Sequence, residues 1–254
     1  MGEAAIDAIN RLDAGEIARR LSGPRDEVAA FVRAAAEGGS NEARARLGQM
    51  LLDGDGVAQD EAQALHWFDL AARGGHLEAA NMIGRCHDLG WGTPVNKPMA
   101  AGWYKRAAER GLTLAKYNYA TLLTLGEGVA QDRATALALF REAAAEGYAK
   151  AINFVGSFYE DGWVVAPDMA EAARCYAIAA DGGDFRGQFN HGRMRAAQGD
   201  ADGALLWFAR AHANGNDRFR AQTQTWLRAQ GDPYRSAASV FTLVPQTGGN
   251  ILRK

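Results

Sequence analysis

Apolar and small residues recur along this chain in a pattern of paired helical segments separated by glycine-rich turns. The clearest copy runs from Gly39 to Gly75. It holds a first segment centred on Leu47-Gly48, a tight loop at 54–57, and a second segment around Trp67-Phe68. The copies follow one another at a step of 36 residues, marked by Gly39, Gly75, Gly111, Gly147 and Gly183; a fifth copy is four residues shorter. A fixed period of this length predicts stacked repeats that share one core.

Equivalent positions keep the same residue type from one copy to the next. A small residue lies at the middle of each first segment: Gly48, Gly84, Ala120, Gly156 and Gly192. An Asp or Asn suited to N-capping begins each second segment: Asp60, Asn96, Asp132, Asp168 and Asp200. Since a glycine inside a helix costs roughly 1 kcal/mol relative to alanine, its recurrence indicates close helix packing. Glycine in the loops is expected to supply positive φ, but the fourth copy has Val164 at the second loop position.

These copies divide the chain into a stack with two caps. Residues 1–38 form a degenerate repeat, with one helix from about Glu3 to Leu21 and another from Arg25 to Glu37. Five repeats fill residues 39–215, with bounds at 39–74, 75–110, 111–146, 147–182 and 183–214. A capping helix follows within 216–233, and residues 234–254 are expected to be a partly disordered tail whose segment 239–244 folds back on the last helix. The predicted fold class is all-α, a right-handed α-solenoid of stacked helix–loop–helix repeats.

Composition argues against several classes of partner but does not identify a ligand. With 28 Lys and Arg against 30 Asp and Glu, the net charge of −2 argues against a nucleic-acid partner. No apolar run approaches the roughly 18 residues that a membrane helix needs, and the first residues lack the parts of a signal peptide. Cys86 and Cys175 lie two repeats apart, which favours buried small side chains over a disulfide. We therefore expect a cytoplasmic protein with no membrane partner.

No group of residues in the sequence has the pattern of a catalytic or metal site. Cys86-His87-Asp88 suggests metal binding, but adjacent residues of a helix point to different faces. When the copies are aligned, each set of equivalent positions forms a column. His87 and His191 lie in columns where another copy has leucine, which favours packing in the core over binding of a metal. The loop Gly54-Asp55-Gly56 lacks the Lys-Ser/Thr signature of a phosphate loop. We predict no catalytic residue, no metal and no cofactor, and hence no enzyme.

The full set of recurring residues resembles the SEL-one-like repeat family, a branch of the tetratricopeptide superfamily. In the first copy the matching run is Ala43-x3-Leu47-Gly48, then Gly54-x-Gly56-Val57-x2-Asp60-x3-Ala64-x2-Trp67-x3-Ala71-Ala72-x2-Gly75. The resemblance covers five repeats, roughly two-thirds of the chain. It implies an adaptor or scaffold that presents a concave surface, lined by the first helices, to a peptide or partner protein. Catalytic activity is not a general property of that family.

If the resemblance extends to the position of the middle glycine, four columns of the first helices face this groove. The last of them contains Leu52, Asp88, Thr124, Glu160, Ala196 and Arg228. The candidate binding residues are Asn81, Arg85, Tyr117, Thr121, Lys150, Asn153, Ser157, Arg186, Phe189, Arg193 and Arg218. Asn81 and Asn153 are expected to hold a peptide backbone, since an amide both donates and accepts. Tyr117 and Phe189 are expected to be apolar anchors.

Charge differs along these columns. Glu42 and Glu78 belong to the earlier copies, whereas the later copies carry Lys150, Arg186, Arg193 and Arg218. We hypothesise that the later part of the groove receives an acidic segment or a free C-terminus of a partner protein; ordinary solvated charges are the alternative. Trp91 and Trp163, at equivalent loop positions, form either a second contact edge or packing against the neighbouring loop.

Three functions remain open at this point. The leading one is a non-enzymatic interaction scaffold, expected to be a monomer, that binds a protein or peptide. A structural spacer or self-associating solenoid without a peptide groove is the first alternative. A hydrolase acting on cell-wall material is the second alternative, although the sequence offers no convergent set of ionisable residues for it.

Overall fold

The computed structural model describes residues 13–241, and for residues 239–241 only the backbone. Over this range the chain forms fourteen α-helices and no strand, which confirms the predicted all-α class. Two compact units divide it, one reaching Gln131 and the other beginning at Asp132. The helical residues predicted before Asp13 and the tail predicted after Phe241 lie outside the described residues.

In the first unit, each helix packs on the next one along the chain, from α1 on α2 to α6 on α7. Its helices are α1 (Ala14–Leu21), α2 (Arg25–Glu37), α3 (Asn41–Asp53), α4 (Glu61–Arg73), α5 (Leu77–Leu89), α6 (Lys97–Glu109) and α7 (Thr113–Leu125). From α2 onward, connections of three residues alternate with connections of seven. Connections this short make neighbouring helices antiparallel. The bounds of α2 are those that the sequence predicts.

The second unit contains the remaining seven helices. They are α8 (Arg133–Ala145), α9 (Ala149–Asp161), α10 (Met169–Asp181), α11 (Phe185–Ala197), α12 (Ala201–Asn214), α13 (Asp217–Ala229) and α14 (Tyr234–Phe241). The connection between α11 and α12 has three residues where its counterparts have seven. This shorter loop accounts for the four residues missing from the fifth copy.

The helix ends follow from the residues that recur at them. Oδ1 of Asp60 accepts a hydrogen bond of 2.9 Å from the backbone N–H of Gln63, which satisfies a free donor at the start of α4. The other four predicted caps do the same at α6, α8, α10 and α12: Asn96, Asp132, Asp168 and Asp200. Four first helices, α3, α5, α7 and α9, end at a left-handed glycine, as at Gly54 with φ 71°. The predicted caps and loop glycines are confirmed.

Glycine at the middle of a first helix lets an aromatic ring of the second helix lie against the backbone. A Cβ added at Gly84 would lie 2.6 Å from the ring of Tyr104, and one added at Gly156 would lie 2.8 Å from the ring of Tyr176. Both rings are 1% exposed, so they form the centre of their repeats. The same approach occurs between Gly48 and Phe68 and between Gly192 and Phe208. The predicted packing reason for these glycines is confirmed.

The end of the described chain differs from the prediction. The sequence predicts a tail from Tyr234, but residues 234–241 form the helix α14. Ala238 on this helix is fully buried in one cluster with Phe208 and Leu227. Helix α14 therefore covers apolar residues of the last repeat. Its eight residues are too few to show a helical period in the sequence.

Candidate functional site

The two asparagines expected to hold a peptide backbone are buried, one in each unit. Asn81 on α5 is 1% exposed and Asn153 on α9 is 4% exposed. Nδ2 of Asn118 donates to Oδ1 of Asn81 at 2.9 Å, and Nδ2 of Asn190 donates to Oδ1 of Asn153 at 2.9 Å. A buried acceptor without a partner would cost about 1–3 kcal/mol, and these bonds remove that cost. The expectation that Asn81 and Asn153 face a groove is wrong, because each joins consecutive first helices instead.

Asp88, near the end of α5, is the centre of a polar cluster in the first unit. Its Oδ2 accepts a hydrogen bond of 3.3 Å from the hydroxyl of Tyr104, and its Oδ1 lies 2.5 Å from Nζ of Lys97. The same Nζ lies 2.8 Å from Oε2 of Glu127 in the next loop. Burial alone would lower the pKa of Lys97, but its hydrogen bonds to the two carboxylates raise it. The ammonium group is therefore held charged between two acids.

Glu160, near the end of α9, is the centre of the equivalent cluster in the second unit. Its Oε2 accepts a hydrogen bond of 2.6 Å from the hydroxyl of Tyr176. Arg193 on α11 donates to both carboxylate oxygens, at 3.0 Å to Oε1 and 2.8 Å to Oε2. Burial alone would raise the pKa of Glu160, but the hydrogen bonds from Arg193 and Tyr176 hold it below its ordinary value. Oγ of Ser157 lies 3.2 Å from the same tyrosine hydroxyl.

These clusters correct two expectations about the groove. Arg193 was predicted to bind a partner's carboxylate, but Glu160 already neutralises its charge. The last predicted column is partly interior, because Leu52 is 1% and Thr124 is 3% exposed. Where this column carries an acid, the ring of the second helix is a tyrosine, and where it carries Leu52 or Thr124 the ring is a phenylalanine. The column therefore contributes to packing between the two helices of a repeat.

Two of the predicted basic residues remain on the surface of the second unit. Arg186 and Arg218 are exposed and stand in the same column as the half-buried Lys150, in the first turns of α11 and α13. The guanidinium of Arg186 lies 4.6 Å from the centre of the Phe185 ring. Within residues 13–241, no carboxylate forms an ion pair with Arg186 or Arg218.

The predicted anchor Phe189 is half-buried in a group of aromatic rings of the second unit. Its ring centre lies 5.4 Å from that of Phe208, 5.9 Å from that of Phe219 and 5.2 Å from that of Trp226. The contacts with Phe219 and Trp226 are edge-to-face, and such contacts add to the energy of burial. The ring is therefore fixed in place rather than free to move.

The remaining candidates belong to the first unit and are half-buried there. Arg85 lies over the ring of Trp91, 4.8 Å from its centre. The hydroxyl of Thr121 donates to the carbonyl oxygen of Tyr117 at 2.9 Å, so it is engaged by its own helix. The eleven candidate residues thus fall into two sets, one in each unit.

The chemistry of the cysteines and histidines agrees with a packing role. Burial raises the pKa of Cys86 to about 12 and that of Cys175 to about 11, so both thiols stay protonated. His87 and His191 are half-buried, and the buried Nδ1 of each has no hydrogen-bond partner among the described residues. In the described part of the chain, no group of His, Cys, Asp and Glu has the arrangement to hold a metal ion. None of the described helices has both the length and the apolar character for a membrane span.

The residues that complete the polar clusters were not predicted from the sequence. Asn118 and Asn190 were not among the candidates, nor were Lys97 and Glu127. A signal for part of this was present at twice the repeat period. Asn81, Asp88, Tyr104 and Asn118 recur 72 residues later as Asn153, Glu160, Tyr176 and Asn190. Polar residues that recur together at the same spacing indicate that they contact one another.

Stacked helix–loop–helix repeats joined by polar side chains define an α-solenoid repeat protein. The Sel1 repeat model matches residues 41–76, 77–112, 113–148 and 149–184, more than half of the chain. The chain therefore belongs to the Sel1 repeat family, which confirms the resemblance drawn from the sequence; the model matches four of the five predicted repeats. Sel1 repeat proteins are generally non-enzymatic scaffolds for protein interactions. The comparison with curated proteins found no match.

Solved structures support the same fold. A protective antigen of uropathogenic Escherichia coli with an SLR fold is 26% identical, with a TM-score of 0.65 over 85% of this chain and 48% of the antigen. This chain thus spans about half the length of that protein. A Sel1 repeat protein from Oxalobacter formigenes is 24% identical, with a TM-score of 0.75 over 93% of this chain and 97% of the other. A Sel1 repeat protein from Klebsiella pneumoniae is 20% identical, with a TM-score of 0.53 over 78% of this chain and 98% of the other.

Proposed function

We propose that this chain is a non-enzymatic scaffold that binds an acidic segment or free C-terminus of a partner protein on the first-helix face of its second unit. The exposed column of Arg186 and Arg218 carries the proposal. Neither guanidinium forms an ion pair with a carboxylate of residues 13–241, although the charge of Arg186 acts on the buried Asp184, whereas Glu160 neutralises Arg193. A carboxylate from a partner binds such groups through charge-assisted, bidentate hydrogen bonds.

The aromatic rings beside this column supply an apolar surface for the same partner. Phe185 and Phe189 are half-buried, and the Phe185 ring lies 4.6 Å from the centre of the Phe219 ring. Aromatic residues, including phenylalanine, and arginine are enriched in protein interfaces. A partner segment with an apolar residue near its carboxylate would use both parts of this surface.

Charge reversal on this column tests the proposal. Labelled peptides with an acidic sequence, prepared with a free or an amidated C-terminus, are titrated with the full chain in a fluorescence anisotropy assay. Arg186→Glu with Arg218→Glu is expected to weaken binding of the acidic peptide by about tenfold or more, equivalent to about 1.4 kcal/mol. The amidated peptide separates recognition of the terminus from recognition of acidic side chains.

A matched control carries the same number of charge reversals on a second helix. Lys105→Glu with Arg106→Glu lies on α6 in the first unit, where both residues are exposed. This control is expected to keep the affinity within about twofold of the original protein. Equal binding by the Arg186→Glu, Arg218→Glu variant and the original chain would show that the basic column is not the site.

A further inference from the structure

The loop between α9 and α10 contains a backbone conformation that its residue disfavours. Val164 has φ 54°, and it is the one non-glycine residue at positive φ between residues 13 and 241. A β-branched residue in this region is a steric outlier. The equivalent position in the first three repeats is glycine with nearly the same φ, at Gly56, Gly92 and Gly128.

Those glycines let each loop of the first unit rest against the start of a preceding helix. A Cβ on Gly56, Gly92 or Gly128 would overlap the backbone of the residue near the start of that helix, which is Arg25, Glu61 or Lys97. At Gly92 the contact is also a hydrogen bond, because its N–H donates to Oε2 of Glu61 at 3.1 Å. In these three loops, glycine therefore allows both the conformation and the close approach.

Val164 carries the Cβ that the glycines lack, so an approach as close as theirs to the start of α8 would overlap the backbone there. Val164 is 57% exposed, and Met169, five residues later, is 51% exposed. A strained backbone conformation is usually held in place by burial of the side chain. The exposure of Val164 shows that burial does not hold it here. Strain of this kind tends to occur at sites whose conformation serves binding.

Arg133 occupies the position equivalent to Glu61. Like Val164, it differs in residue type from its counterpart in the first unit. Its guanidinium lies over the ring of Trp163, 4.3 Å from the ring centre. The Nε atom of Arg133 is buried, and no acceptor among the described residues bonds to it. Where Glu61 engages its loop through a hydrogen bond, the second unit has a half-buried arginine that forms no ion pair among the described residues, and its charge is complementary to an anionic group.

We propose that Arg133 and the loop at 163–167 form a second docking site, separate from the basic column of the proposed function. The site takes an extended segment of a partner protein in which a carboxylate side chain adjoins an aliphatic one. The carboxylate binds the guanidinium of Arg133, which the Trp163 ring holds in place. The aliphatic side chain contacts Val164 and Met169 and covers their exposed surface.

Peptide selection against the full chain tests this proposal without a known partner. A phage-displayed library of random 12-residue peptides is selected on the immobilised protein, and enriched peptides are synthesised. Their affinities are measured for the original chain, for Arg133→Gln and for Val164→Gly. Arg210→Gln is the matched control, because Arg210 lies over Trp207 in the same unit, 4.5 Å from the ring centre.

We expect the enriched peptides to share Asp or Glu next to Leu, Ile or Val. Their binding should fall about tenfold in Arg133→Gln and about fivefold in Val164→Gly, with no change in Arg210→Gln. Because glycine adopts φ 54° without strain, Val164→Gly should keep or raise the melting temperature, which separates lost binding from lost folding.

Two results would overturn the second site. One is the absence of an acidic–aliphatic consensus among the enriched peptides. The other is a set of enriched peptides that bind Arg133→Gln and Val164→Gly as tightly as the original chain, or that lose binding only in Arg186→Glu with Arg218→Glu. Since the two sites use different residues, failure of the basic column leaves this outcome unaffected.

Discussion

The two units use equivalent loop positions in different ways. In the first unit, Gly92 in the loop after α5 lies against the start of α4, and its N–H donates a hydrogen bond to Glu61. In the second unit the loop after α9 has Val164 exposed and faces an arginine in place of that acid. One loop is thus closed by contacts within its unit, and the other leaves Val164 exposed and has its Trp163 ring under an arginine without an ion pair among the described residues. The difference shows that a conserved repeat period does not imply equal contacts.

The polar clusters of the two units differ in a similar way. Asp88 shares Lys97 with Glu127, so the cation has a second carboxylate. Arg193 gives all three of its carboxylate contacts to Glu160 and joins α9 to α11. The first cluster distributes its charge between two acids, whereas the second depends on one ion pair. Removing the acid should therefore affect the two units unequally.

The largest expected effect comes from giving the first loop the residue of the second. Gly92→Val would place a Cβ onto the backbone of Glu61 and a β-branched residue at φ 66°. We expect a loss of about 3 kcal/mol in the free energy of unfolding, from strain together with overpacking. Urea denaturation measures it, with Val164→Gly as the reciprocal exchange. Similar stability of Gly92→Val and the original chain would contradict the difference between the loops.

Removing the acid from each polar cluster should give the next largest effect. Glu160→Ala leaves Arg193, with a side chain 27% exposed, without its carboxylate, and we expect a loss of about 2–3 kcal/mol. Asp88→Ala leaves Lys97 paired with Glu127 but removes the acceptor of the Tyr104 hydroxyl, and we expect a smaller loss of about 1–2 kcal/mol. The comparison uses urea denaturation of both variants under one condition. Equal losses would show that Glu127 does not support Lys97.

A smaller effect on stability should come from the coupling between the carboxylate of Asp88 and the hydroxyl of Tyr104. Asp88→Leu with Tyr104→Phe reproduces the pair Leu52 and Phe68 of the first repeat. The single change Asp88→Leu leaves the buried hydroxyl of Tyr104 without its acceptor, a cost of about 1–2 kcal/mol. The double variant should recover about 1 kcal/mol of that loss in a double-mutant cycle. Additive losses would mean that the two positions are independent.

Much of the fold could be predicted from single positions along the sequence. The caps, exemplified by Asp60, and the left-handed glycines, exemplified by Gly54, act within a few residues, so local chemistry determines them. The glycine at position 84 indicates close packing because its cost in a helix needs a compensating contact. Helix α14 escaped prediction because a short helix is stabilised by the surface it covers rather than by its own pattern.

The candidate site could be predicted only in part, because its columns were considered one at a time. Asn81 varies in type from its counterparts, and variation suggests exposure when no partner is considered. Its partner Asn118 lies 37 residues away on another helix, so no local pattern connects them. Arg193 likewise looks available until Glu160 is placed beside it. Arg186 is exposed and has no ion pair among the described residues, but its own column does not reveal this, because a partner would lie in another column.

The smallest expected effect concerns one histidine in each unit and its dependence on pH. Burial lowers the pKa of His87, and burial together with the nearby Arg195 lowers that of His191. The unfolded chain, with an ordinary pKa of about 6.5, then binds protons before the folded chain does. Stability from these groups is fully present above about pH 6.5 and is lost as the pH falls towards the lowered folded values.

Leucine at these positions should remove that dependence, since leucine fills the same columns at Leu51 and Leu47. Urea midpoints at pH 7.5 and 5.5 are compared for the original chain, His87→Leu and His191→Leu. The original chain should lose stability at the lower pH, and each variant should lose less. Asp184, whose pKa burial raises, is present in all three proteins, so its opposite contribution cancels in the comparison. If a variant loses as much as the original chain, its histidine is not kept neutral by burial, and packing alone does not explain that position.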